Sequence, residues 1–141
     1  MTDIELAKKI LKEEGCTLVV VKERKVLFSS KEKGIRPLYE VTCTIKDQLK
    51  GASIADRVIG KAAAILCVHL EIKYLHTRLI SQDAMKVLKK SEIIFYYEEA
   101  CPYIQNRNKN GRCPMEELSQ AVEDPICLLK DIGEFMKKSQ S

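Results

Sequence analysis

The sequence predicts an α/β protein: three layers, α/β/α, around a mixed sheet, in a single domain spanning residues 1–141. Three observations carry that expectation. Thr17 to Val21 and Lys25 to Phe28 are strand-like runs joined by Glu23-Arg24, which reads as a hairpin. Beyond it, stretches of helical periodicity alternate with strand-like ones, an order that places helices on both faces of a sheet. The chain has 141 residues, 45% of them hydrophobic and 31% charged, enough for one core without a disulfide or metal.

The elements follow in order. Ile4, Ala7, Ile10 and Leu11 recur at helical spacing, with Lys8, Lys9, Lys12, Glu13 and Glu14 on the other face, and Gly15 stops that helix. After the hairpin comes a polar loop, Ser29 to Gly34. Pro37 suits the first turn of a second helix, striped by Leu38, Val41, Ile45 and Leu49 and ended by Gly51. Ser53 with Asp56 three positions on resembles a capping box. Ile54, Ala55, Val58, Ile59, Ala62, Ala63, Leu66, Cys67 and Leu70 then form a wide apolar face, so one long buried helix is expected through Leu70. Ile72 to Ile80 is strand-like. Ser81 caps a short helix through Lys90, with Asp83 in its first turn. Ile93 to Tyr97 is a run of strong strand formers and is expected to be the central strand. Glu98 to Arg112 reads as an irregular loop. Cys113 takes the N-cap of a helix running to about Val122, with Pro114 at N1 and Glu116 at N3, and Asp124-Pro125 opens a last helix through Lys137.

Composition excludes several classes. The longest apolar run, Ala62 to Val68, is far short of the ~20 residues of a membrane span. Met1 to Glu14 is charged and amphipathic, unlike a signal peptide, so a soluble cytoplasmic domain with no membrane association is expected. The net charge is +4 with opposite signs interspersed, which argues against a nucleic-acid track. Gln105 to Arg112 differs: it holds Arg107, Lys109 and Arg112 with no acid, and such a loop can receive a phosphate or carboxylate. The six cysteines include no C-x-x-C pair, so a zinc ribbon or thioredoxin motif is excluded and reduced, packed thiols are the default. A disulfide between Cys101 and Cys113, which flank the basic loop, stays open. Cys67, His69 and His76 lie close in sequence, and their simplest reading is a packed cysteine and two ordinary histidines.

Leu79 to Leu88 resembles the strand end, cysteine pair and helix of the zinc deaminases of bases and nucleosides, and Ser91 to Tyr97 resembles their next strand. Gly60-Lys61-Ala62-Ala63 stands where their His-Ala-Glu motif would be, and Ser81 and Ala84 where their two cysteines would be. The resemblance therefore implies a cytidine-deaminase-like fold without zinc ligands, without a general acid/base and without a cofactor. Zinc is what brings the pKa of a bound water to ~7, so it also implies no deamination by that mechanism. Ala55 to Ala64 and Cys113-Pro114-Met115-Glu116, with the order of elements, resemble a prokaryotic family of uncharacterised proteins of the same fold.

In such a fold ligands favour helix N-termini and strand ends. The candidate ligand-binding residues are Asp56, Lys61, Ser81, Arg107, Cys113 and Glu116. Their simplest roles are a helix cap for Asp56, a solvated lysine for Lys61, a cap for Ser81, and a capping box for Glu116 with Cys113. Cys113 is the sharpest candidate, because a helix N-terminus and the adjacent Arg112 both favour a thiolate. The preferred function is binding of a nucleotide-like or other anionic small molecule. The alternatives are a zinc-independent enzyme using Cys113 or Lys61 as nucleophile, with Asp56 or Glu116 assisting, and a structural or interaction domain. Deaminase folds often associate through helices, so a homodimer is a candidate by analogy.

Overall fold

The structure is a computed structural model that describes residues 1–105, 111 and 113–139. Helix α1 (Asp3–Glu13) opens with a capping box: Thr2 Oγ1 accepts from the Glu5 amide and the Glu5 carboxylate accepts from the Thr2 amide. It buries Ala7 and Leu11 against β1 (Leu18–Lys22), which forms a hairpin with β2 (Lys25–Ser30), and against β3 (Ser53–Ile59). Glu23 and Arg24 at the hairpin tip have φ of 52° and 63°. A two-residue turn of matching twist demands this left-handed geometry, which costs non-glycine residues energy. Asp3 holds the tip, its two carboxylate oxygens accepting from the Glu23 amide at 3.0 Å and the Arg24 amide at 2.9 Å.

The second helix is shorter than its stripe suggests. α2 spans Arg36–Thr44, and a separate 3-10 turn, Lys46–Gln48, carries the chain to Leu49. Thr42 and Thr44 each turn a hydroxyl back onto the carbonyl four residues earlier, a bond that competes with regular helix near its end.

The largest departure from the sequence expectation lies at Ser53–Ile59. These residues form strand β3, and helix α3 begins only at Lys61 and ends at His69. Asp56 is therefore a strand residue and caps no helix. β3 lies in the middle of the sheet, whose order is β2-β1-β3-β4-β5. Its side chains enter both cores, Ile54 and Ile59 the larger one and Ala55 the one beneath α1. A strand buried on both faces shows no apolar alternation, so its residues merged with the helical spacing that follows.

β3 pairs antiparallel with β1 and parallel with β4 (Tyr74–Ser81), which pairs parallel with β5 (Ile94–Cys101). The predicted central strand, Ile93 to Tyr97, is thus the start of an edge strand, with Ile94, Tyr96 and Tyr97 exposed. It also runs on to Cys101, into the stretch expected to be loop. Helices α4 (Gln82–Lys89), α5 (Pro114–Ala121) and α6 (Pro125–Ser139) complete the layer opposite α1. α3 is the hub of that layer, touching α2, α4, α5 and α6. Ala62 to Cys67 are all buried, as expected of a helix that is apolar all round. Among the described residues no helix is long and apolar enough to cross a membrane.

Candidate functional site

A cleft of about 330 Å³ opens where the C-terminal half of β3 meets the start of α3. Gly60 is the N-cap of α3 and has no side chain to cap with. Glu116, on α5, supplies the missing acceptor: its Oε1 takes the Lys61 amide at 2.9 Å and its Oε2 the Ile104 amide at 3.3 Å. Glu116 is only 1% exposed. An anionic acceptor at a helix N-terminus satisfies an orphan donor and the helix dipole together. A methyl group at position 60 would overlap the Glu116 carboxylate, so glycine is what allows the approach. Glu116 thus caps the neighbouring helix rather than forming the expected capping box on its own.

Asp56 and Cys113 line the same cleft. Burial raises the Asp56 carboxyl from its ordinary 3.8 to about 7, against the opposing pull of the Val58 and Arg57 amides. The protonated form is therefore far more accessible than for an ordinary aspartate, and the carboxyl can donate as well as accept. Cys113 is the N-cap of α5, as expected, but its thiol pKa is raised rather than lowered. Burial is the largest cause. The amides of Glu116 and Met115 pull it down, and the Glu116 and Glu117 carboxylates push it up again. Cys101 and Cys113 are both free thiols.

The other candidates sit elsewhere. The Lys61 ammonium turns away from the cleft and pairs with Glu123 at 3.0 Å, over a separate groove beside Asp83. Only its backbone amide faces Glu116. Ser81 is fully buried, and its hydroxyl accepts from the Ala84 amide at 3.1 Å, the cap its position suggests. Arg107 lies outside the described residues.

Three cationic residues that the sequence reading passed over complete the cleft: Lys33 from the loop after β2, Arg57 from β3 and Arg78 from β4. Val58, Ala62, Ala63, Ile104 and Met115 form its apolar walls. No local motif marks the cations, since they meet only through strand register and a loop 20 or more residues distant in sequence from each strand. The residues at the deaminase-motif positions do not fit zinc. Ala63 and Ala84 have no donor atom, the Lys61 amine is ion-paired, and the Ser81 hydroxyl is a helix cap. Among the described residues no group of three or more His, Cys, Asp and Glu is gathered to hold a metal.

Comparison with known proteins gives a family and structural likenesses. Residues 6–136 match the family model described as a domain of unknown function (DUF1893). The crystal structure of a DUF1893 family protein (TM1506) from Thermotoga maritima is similar, with a TM-score of 0.85 and 26% sequence identity, covering 94% of this chain and 88% of that one. No match was found among curated proteins.

Proposed function

The chain belongs to the DUF1893 family, and from that premise we propose that its cleft binds a small anionic, nucleotide-like molecule without zinc-dependent deamination. The observation that carries the reading is the division of labour within the cleft. Lys33, Arg57 and Arg78 supply positive charge for a phosphate or carboxylate, and the apolar walls suit a flat ring. Asp56, part protonated, offers both a donor and an acceptor to a polar ring edge. Lys61 pointing away and the raised Cys113 thiol favour binding over the nucleophilic alternative.

We also read the fold as cytidine-deaminase-like. In support, α3 follows the central strand and starts at Gly60-Lys61-Ala62-Ala63, and α4 starts at Ser81 to Ala84, the two places the resemblance calls for. The cleft opens beside the first of them.

A thermal-shift panel of inorganic phosphate, nucleosides and nucleoside mono- and diphosphates tests the function. A specific ligand at 100 times its Kd adds about 2.7 kcal/mol of stability. A nucleotide should shift the melting point more than either phosphate or nucleoside alone. Equal indifference to all of them would remove the reading.

A further inference from the structure

The face of the sheet that α1 covers holds a second hollow, of about 630 Å³, between the first turns of α1 and the open half of the sheet. Strand register aligns two rows here, Ser53, Tyr74 and Ile94, then Ala55, His76 and Tyr96, of which Ser53, Tyr74, His76 and Tyr96 line the hollow. The rows emerge from under α1, so exposure climbs along the second from 0% at Ala55 to 5% at His76 and 52% at Tyr96. Two polar side chains on this floor are more than nine-tenths buried: Ser53 at 1% and His76 at 5%.

Neither has a hydrogen-bond partner among the described residues. The His76 Nε2 stands 3.9 Å from the Glu98 carboxylate, beyond hydrogen-bonding distance. Among the described residues every side-chain polar atom that is wholly shut off from solvent has a partner, so the unpaired atoms of Ser53 and His76 are those left open to the hollow they line. Burial and the Lys8 ammonium hold the imidazole below its ordinary pKa, against Glu98, which keeps it neutral with one donor and one acceptor. Unpaired polar groups this deep carry a desolvation cost that a matching ligand edge removes.

We propose that this hollow is a binding site for a neutral, planar heteroaromatic molecule that stacks on Tyr96 and presents a hydrogen-bonding edge to Ser53 and His76. The half-exposed Tyr96 ring offers a stacking wall at the mouth. The charges around the rim are mixed. Lys8 and Lys73 are set against Glu98, Asp3 already holds the hairpin tip, and Glu5 is committed to the α1 capping box. The hollow thus lacks the cationic bias of the cleft, with which it shares no lining residue, and the proposal stands independently of the function given to the cleft.

The test uses indole, benzimidazole and adenine as probes at pH 7.5, followed by amide and side-chain NMR signals of the full chain. At least one probe should give saturable shifts at Ser53, Tyr74, His76 and Tyr96, with the signals of Arg57, Gly60 and Ala62 unmoved. Ser53→Ala should weaken that probe about fivefold, as loss of one hydrogen bond does. Tyr96→Ala, at an exposed position that leaves the core intact, should weaken it about tenfold. No saturable shift with any probe, or shifts that survive both substitutions, would overturn the proposal. So would signals in this patch that follow protein concentration instead of probe, which would assign the face to a second copy of the chain.

Discussion

Replacing Asp56 with asparagine should stabilise the protein, and by an amount that depends on pH. The carboxyl sits on the central strand in contact with the cleft, and burial lifts its pKa from 3.8 to about 7. The native state therefore binds this proton more tightly than the unfolded chain, where the group titrates near its ordinary value. Its contribution to stability is fully present below about pH 4 and is lost as pH rises through about 7. The difference, 7 − 3.8, is about three pH units, and at ~1.36 kcal/mol for each it corresponds to about 4 kcal/mol. Asp56 is partly open to the cleft, so screening by solvent brings this to about 2–4 kcal/mol. Asparagine keeps the shape and cannot ionise. Urea unfolding of both proteins should show the variant more stable by about 2–4 kcal/mol near pH 8, with the gap closing towards about pH 4. His69 and His76, whose pKa values are lowered, act in both proteins and cancel in the difference. A gap that does not change with pH, or a variant less stable near pH 8, would show that burial does not raise the Asp56 carboxyl.

Gly60→Ala should cost about 1–3 kcal/mol, because its methyl group displaces the Glu116 carboxylate from the start of α3. Glu116→Ala should cost about 2–3 kcal/mol through the stranded Lys61 and Ile104 amides, and the double variant should cost less than the sum; additivity in chemical denaturation would disprove the shared mechanism. Arg24→Gly should stabilise by about 0.5–1 kcal/mol by relieving a φ of 63° at the hairpin tip, a gain measurable as a higher urea midpoint. In thiol titration near pH 8, exposed Cys43 and Cys127 should react before Cys113, whose thiol is part buried and raised in pKa; a Cys113 that reacts first would restore the nucleophile reading.

What could be read from sequence follows a physical division. α1, the hairpin, α4 and the two C-terminal helices are signalled by residues that act locally: an amphipathic stripe, a two-residue turn, a serine cap and prolines in helix first turns. β3 is different. Its neighbours on both faces are apolar, so Ile54 and Ala55 could be buried side by side, and only the sheet context distinguishes that from a helix. β5 reads as central from Ile-Ile-Phe-Tyr-Tyr, but β-propensity reports fit to a pleated surface and not position within the sheet. The cleft shows the same limit. Cys113 and Glu116 were visible as a helix start, whereas the reach of Glu116 to the Lys61 amide crosses 55 residues. Lys33, Arg57 and Arg78 have no sequence signature in common and become a group only once the strands are in register.

Whether the cleft takes a nucleotide-like anion on those cations is decided by amide chemical-shift mapping with a nucleoside monophosphate. Saturable shifts should centre on Arg57, Gly60, Ala62 and Arg78, with a loss of affinity of at least about tenfold in the Arg57→Ala/Arg78→Ala variant, since each substitution removes charge-assisted hydrogen bonds. Saturable shifts of equal affinity in the variant, or no saturable shift in the native protein, would contradict that binding.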